Sequence, residues 1–144
     1  MKVSESVRLD CTIEKAWSEL TDWESQAEWM ADADSVSVEG ARAGVGATVR
    51  VRTRLYNVPA FTERLEVTTW DPPRRLDIAH RSIVKGVGVW QLEPDGDGVV
   101  FTWTEDVTLP VVGDLVAGIY RPFLRKMMRA SLETLAGRLG SDGT

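Results

Sequence analysis

Three polar residues stand where the pattern calls for apolar ones. Glu63, His80 and Glu105 each fall in phase with apolar neighbours on an alternating segment. Glu63 shares its face with Phe61, Leu65 and Val67, and His80 with Leu76 and Ile78. Glu105 follows Val99, Phe101 and Trp103. A half-buried strand turns one face inward, so a polar residue in that phase is more informative than one on the solvent side. His80 is the only histidine. With an ordinary pKa of about 6.5, it is the side chain best suited to moving protons near neutrality. A buried carboxylate costs several kcal/mol unless it is paired or protonated, so Glu63 and Glu105 need a partner or a proton. The chemistry these residues support is acid–base work, namely enolisation or dehydration of a bound ketone, with Glu105 and His80 as candidate catalytic residues. A structural reading stands beside each. His80 is also read as a strand-end histidine at the bend before Ser82, and Glu105 as half of an ion pair with an arginine. Glu63 faces inward or pairs with Arg52 or Arg54, depending on a bulge at 57–59.

A second group could form the walls of a binding site. Tyr56, Phe61, Ile78, Trp90 and Phe101 are candidates, as are Trp103, Ile119, Phe123 and Met127, with Glu63 as a polar anchor among them. Aromatic and methionine side chains suit flat, irregular apolar ligands, although the same residues also fill ordinary cores. Gly86 and Gly88 leave one side of their strand bare, which makes room for a ligand or lets the strand curve. No Cys/His set has metal-ligand spacing, and Gly44-Val45-Gly46-Ala47 lacks the strand–helix context of a dinucleotide fingerprint. Neither a metal nor a cofactor is expected. A single histidine in no matching order gives no hydrolase triad.

The elements that must position these residues read as follows. Lys2 to Asp10 alternates and is a strand. Thr12 caps a short helix from Ile13 to Leu20, and Asp22 caps a second from Trp23 to Met30 that buries Trp23, Ala27 and Met30. Strands follow over 34–39, 47–55, 61–70, 75–80, 83–93 and 99–109. They are punctuated by Tyr56-Asn57-Val58-Pro59, Asp71-Pro72-Pro73 and Pro94-Asp95-Gly96-Asp97-Gly98. Arg50, Arg52 and Arg54 make a basic stripe, read as a solvated face with cross-strand ion pairs. The last long stretch, Val112 to Leu139, carries Leu124, Met128, Leu132, Leu135 and Leu139 at helical steps. Pro122 should kink or split this helix, and Gly140 should stop it. Ser141 to Thr144 reads as a disordered tail. A stripe that long needs a partner surface, and consecutive strands with tight turns imply an antiparallel sheet wrapped over it. The fold class is α+β, with one domain over residues 1–140.

Composition narrows the function classes. Hydrophobic content of 43% and charged content of 27% are ordinary for a soluble domain. A net charge of −5 argues against a nucleic-acid partner. One cysteine, Cys11, excludes an intrachain disulfide and fits a cytoplasmic setting. No apolar run is long enough for a membrane span, and the N-terminus lacks a signal peptide's apolar core. The expected partner is a small hydrophobic molecule, and the expected state a monomer or homodimer without stable membrane insertion.

The order of elements resembles the helix-grip fold of START-like, or SRPBCC, proteins. Trp17 in Ile-Glu-Lys-Ala-Trp-Ser-Glu-Leu is similar to that family's first-helix tryptophan, and Trp29 to its second. The run from Leu65 through Trp70-Asp71-Pro72-Pro73-Arg74-Arg75-Leu76 resembles its W-D-P-P-R-R-L segment. Leu92 to Glu105 resembles its last hairpin. The likeness spans nearly the whole chain. It implies a seven-stranded curved sheet gripping the long helix around an apolar cavity, with mouth loops near 56–59 and 110–113. It further implies binding of a lipid- or polyketide-like ligand. Alternatives are a polyketide cyclase or dehydratase, or a protein-interaction module like the superfamily's co-chaperone branch. No shared catalytic motif carries over, because the likeness specifies fold better than activity.

Overall fold

The structure, a computed structural model, describes residues 1–55, 58–82, 84–108 and 114–142. The order is β1 (Lys2–Leu9), α1 (Ile13–Leu20), a 3₁₀ helix (Trp23–Glu28), β2 (Ala33–Glu39), β3 (Thr48–Leu55) and β4 (Val58–Asp71). Then come β5 (Arg75–Arg81), β6 (Lys85–Asp95), β7 (Gly98–Thr108) and α2 (Asp114–Asp142). The strands form one antiparallel sheet in the order β1-β7-β6-β5-β4-β3-β2. The chain therefore crosses once, from β1 to β2 through the short helices, and then meanders by hairpins back to β1. The curled sheet and long C-terminal helix make the helix-grip architecture expected from the sequence, an α+β fold.

Register shifts mark where the sheet bends. Asp34 is the extra residue in β2 opposite β3, Ala60 in β4 opposite β3, and Thr68 in β4 opposite β5. Each extra residue adds local twist, which a sheet needs to close on a helix. The sequence placed a bulge at 57–59. Its observed neighbour is Ala60, while Tyr56 and Asn57 lie outside the described residues. Gly86 has φ +138°, and a Cβ there would sit 2.1 Å from the Asp106 carbonyl oxygen. Only glycine fits that crossing of β6 and β7.

α2 buries the stripe read from the sequence: Leu124, Met128, Leu132, Leu135 and Leu139 are all in the core. Of the two alternatives for Pro122, a kink or a split, the split is ruled out, because Pro122 lies inside one continuous helix. The carbonyl four residues back belongs to Gly118, which is exposed, so water can take the place of the lost hydrogen bond. The helix also runs through Gly140 to Asp142, into the stretch read as tail; the last two residues lie outside the described ones.

α1 is capped as expected, Thr12 Oγ1 accepting from the Lys15 N–H at 3.2 Å. The second short helix is 3₁₀ and ends at Glu28, Asp22 makes no side-chain cap bond, and Ala27 and Met30, expected to be buried, are half-buried. A repeat of three residues per turn stacks Trp23, Gln26 and Trp29 on one side, and all three are buried. Gln26 satisfies its amide by donating to the Leu20 carbonyl at 2.9 Å. On the sheet's inner face, Trp90 packs against Trp29, Phe101 and Trp103 with centroids 6.0, 5.9 and 6.3 Å apart. These tilted and edge-on contacts make a rigid aromatic wall.

Within the basic stripe, Arg50 is exposed and ion-paired, Arg52 is exposed and donates to Thr62 Oγ1 at 3.5 Å, and Arg54 is half-buried. Arg50 and Arg64 share Glu39, Arg81 pairs with Glu66, and Arg54 lies 3.8 Å from Asp34. Glu63 joins none of these arginine pairs and faces inward.

Candidate functional site

The sheet register explains how three strands deliver polar groups to one point. Leu65 on β4 faces His80 on β5 in the ladder. Glu63, two residues along and on the same face, is therefore His80's diagonal neighbour. On the other side, Ile78 pairs with Gly88 and Gly88 with Glu105. Gly88 has no side chain, so the Glu105 carboxylate reaches across β6. A Cβ at Gly88 would stand 3.0 and 3.1 Å from its two oxygens.

The result is a carboxylate–imidazole–carboxylate line. His80 Nε2 is 2.8 Å from Glu105 Oε2, a hydrogen bond. His80 Nδ1 is 3.4 Å from Glu63 Oε1, within ion-pair range but outside hydrogen-bond geometry. The outer oxygens are held as well. Trp103 Nε1 donates to Glu105 Oε1 at 2.9 Å, and Thr53 Oγ1 to Glu63 Oε2 at 3.2 Å. The histidine side chain is only 12% exposed. Burial disfavours its cation, but the hydrogen bond to Glu105 and the charge of Glu63 outweigh burial and push its pKa up to about 10. At neutral pH His80 is an imidazolium with two N–H donors.

Two further ionisable groups line the same cavity. Asp32 sits in the link between the 3₁₀ helix and β2. Its backbone is clamped on both sides: the Ala31 N–H donates to Ser131 Oγ on α2 at 2.9 Å, and the Arg54 N–H to the Asp32 carbonyl at 2.7 Å. Loss of hydration, and then the charge of Glu63, push the Asp32 carboxyl up to about 7. Tyr120 on α2 is raised by burial and by the nearby carboxylates, so its phenol keeps its proton.

The cavity is small, about 60 Å³. At roughly 10–15 Å³ of accessible volume per water, it holds a few waters. Apolar walls come from Ile78, Trp90, Trp103, Leu124 and Met127. A crevice of about 240 Å³ lies alongside, and Asp32 and Met127 line both spaces.

Of the sequence candidates, the structure brings together Glu63, Ile78, His80, Trp90, Trp103, Glu105 and Met127 around this cavity. Others fall elsewhere. Phe101 is 0% exposed and packs behind Trp90 rather than lining the cavity. Phe61 is partly buried against the core, outside the lining. Ile119 is 61% exposed and faces away. Phe123 lines the outer crevice. Tyr56 lies outside the described residues, as do the expected mouth loop 110–113 and half of the other. Sequence reasoning missed Asp32 and Tyr120. No alternation marks Asp32, which sits in an irregular link; Tyr120 stands one turn before Leu124, on the N-terminal continuation of the leucine stripe, and that spacing could have found it. Among the described residues, no group of His, Cys, Asp and Glu could hold a metal ion, and no helix is long and apolar enough to cross a membrane.

Comparison with known proteins agrees with the fold. Residues 1–140 match the family described as polyketide cyclase/dehydrase and lipid transport. The Zhui aromatase/cyclase from a Streptomyces species superposes with a TM-score of 0.83 at 17% identity, over 97% of this chain and 93% of that one. A Thermus thermophilus protein gives 0.78 at 20% identity over the full length of both. The Aha1 dimer from Colwellia psychrerythraea gives 0.70 at 16% identity over 96% of each. At these identities the structures speak to fold alone. No curated protein matches the chain at a significant level. The match over nearly the whole length decides the family: this chain belongs to the polyketide cyclase/dehydrase and lipid transport family.

Proposed function

We propose that the protein binds a small amphipathic hydroxy- or oxo-compound in the cavity and transfers protons on it, as a dehydratase or cyclase does. One observation carries this reading: Asp32, Glu63, His80, Glu105 and Tyr120 all line one small cavity with aromatic walls. A site built only for affinity needs few polar groups. Here five ionisable groups surround a space of about 60 Å³.

The roles follow from the charge states. His80 is a cation at neutral pH and acts as a donor, not as a base. Its Nδ1–H is buried, with Glu63 Oε1 3.4 Å away and no hydrogen bond in place, so a ligand oxygen reaches it only by moving in beside Glu63. Asp32, with a pKa of about 7, is matched to giving and taking protons near neutrality. In a dehydration, Asp32 removes the proton α to a carbonyl while His80 protonates the departing hydroxyl, which leaves as water. Tyr120 and the carboxylates Glu63 and Glu105 orient the substrate oxygen and hold the imidazolium.

A second reading, binding without turnover, is favoured by the compact line of Glu63, His80 and Glu105, whose charges already satisfy one another. β-Hydroxyacyl thioesters of N-acetylcysteamine separate the two. Turnover gives the conjugated enoyl thioester, seen by its ultraviolet absorbance, and Asp32→Asn should lower that rate at least ~100-fold, the ordinary size of a general acid–base contribution. Binding seen by thermal shift without enoyl product would leave only the binding reading. No shift with any thioester or medium-chain lipid would reject both.

A further inference from the structure

The crevice beside the cavity differs from it in charge. It opens where α2 crosses the ends of β2 and β3, and its walls include Arg54, Phe123, Lys126 and Ala130 as well as the shared Asp32 and Met127. The inner cavity is rich in carboxylates. The crevice carries two cations.

Both cations have binding capacity left over. Lys126 is exposed and enters no hydrogen bond or ion pair with another described residue. The Arg54 guanidinium donates once, from Nη2 to the Ala33 carbonyl at 3.3 Å, and its long pair with Asp34 spans 3.8 Å. Its Nε is buried without a hydrogen-bond acceptor. A guanidinium has five donors, so most of its hydrogen-bonding potential is unspent. The charges at this rim are Arg54 and Lys126 against Asp34, a net of about +1 while Asp32 holds its proton. Asp32 holds it below a pH of about 7. The neighbouring helix arginines do not compete for a ligand, since Arg125 and Arg129 both pair with Glu5 on β1.

Space points the same way. The inner cavity of about 60 Å³ admits only part of a molecule, while the crevice offers about 240 Å³. Drug-sized ligands occupy sites of roughly 300–1,000 Å³. A ligand larger than the inner cavity that reaches the Glu63–His80–Glu105 line past Asp32 and Met127 leaves its other end in the crevice, beside Arg54 and Lys126.

We infer that the crevice is an anion subsite. The ligand is an organic acid whose carboxylate lies between Lys126 and Arg54 and whose uncharged, oxygen-bearing end enters past Asp32 and Met127. This rests on the cavity binding a small molecule and names its class.

The test uses two probes of one shape, para-hydroxyphenylpropanoate and its uncharged alcohol, para-hydroxyphenylpropanol. Affinities come from calorimetry on the intact protein at a pH of about 6, where Asp32 is mostly protonated. The acid should bind about tenfold tighter, the size expected for a charge-assisted contact at a partly exposed site. Lys126→Ala should remove most of that preference and Lys126→Glu reverse it, with the alcohol's affinity unchanged in both. Arg54→Gln should act in the same direction, with its folding checked by circular dichroism. Equal binding of acid and alcohol, or a preference that survives Lys126→Glu, overturns the anion subsite and leaves the cavity reading standing. If neither probe binds while the neutral thioesters do, the subsite is again overturned. Failure of probes and thioesters alike overturns both.

Discussion

Replacing Glu105 by glutamine should lower the pKa of His80. In the wild-type protein the imidazolium is held by Glu105 at 2.8 Å and Glu63 at 3.4 Å, and its pKa stands at about 10. Glu105→Gln removes the nearer charge. It also turns the hydrogen bond around. The amide oxygen keeps the Trp103 Nε1 bond of 2.9 Å, so the amide NH₂ faces His80 Nε2, which must then accept. An opposite charge at this range is worth ~1–3 pKa units, so the midpoint should fall by about that much. At 1.36 kcal/mol per unit this is ~1–4 kcal/mol of stability, an upper range because the pair also loses hydration on burial. The sign follows from linkage. A histidine whose folded pKa is raised contributes in full below its unfolded value of about 6.5, and the contribution fades as pH rises through about 10. The unfolded value is common to both proteins and cancels, so the stability gap between wild type and Glu105→Gln should be full below the variant's midpoint of ~7–9 and close toward 10. The assay is clean because His80 is the only histidine. One ring Cε1–H resonance, followed against pH, reports one group. A wild-type midpoint near or below 6.5, or one that Glu105→Gln leaves in place, would refute the charge assignment and with it the role of His80 as donor.

Two further perturbations probe the same cluster from its flanks. Gly88→Ala places a methyl 3.0 Å from Glu105 Oε1, so the carboxylate must shift by a few tenths of an ångström. We expect a lower His80 midpoint at a stability cost of only ~1 kcal/mol, because the displaced atoms end a flexible side chain; an unmoved midpoint would mean that the bare strand plays no part in the alignment. Asp32→Asn tests the other raised group. A carboxyl whose folded pKa is raised to about 7 stabilises most below its unfolded value, and that share is lost as pH rises through about 7. Urea titrations across this interval should show a flatter decline in the variant, and parallel curves would contradict the placement of Asp32.

The sequence showed the face on which each strand residue lies, but not its height. Alternation put Glu63, His80 and Glu105 in phase with apolar neighbours but left an arginine pair or a strand end open for each; all three line the cavity. It also placed Phe101 beside Trp103, yet one of them meets the cavity and the other packs behind Trp90. Alternation has a period of two along a strand and no memory of where on the strand the cavity falls. That depends on register, which is set by the hairpins and by the extra residues Asp34, Ala60 and Thr68. The 3₁₀ helix was misread for a similar reason. Trp23, Gln26 and Trp29 fit a step of three, but a buried glutamine hides the pattern from any reading that follows apolar residues only. Asp32 was invisible because its position comes from clamps at Ser131 and Arg54, about 100 and 20 residues away in the chain.

Charge separation within the site decides how a ligand can lie. On the floor, Glu63 and Glu105 are anions and His80 a cation, which leaves about one negative charge even with Asp32 neutral. Fixed charge in a poorly hydrated space acts strongly, so an anionic group carried to the floor would meet repulsion and lose its hydration as well. A neutral hydroxyl or carbonyl meets neither penalty, and the Tyr120 phenol, which keeps its proton, is a donor it can meet there. At the rim the sign is reversed by Lys126 and Arg54. A molecule with one charged and one neutral oxygen function therefore has a single favourable direction of entry, neutral end first. Such one-way binding brings the carbon beside that oxygen toward Asp32 before any proton moves, and positioning of this kind can supply much of a catalytic effect without strained geometry.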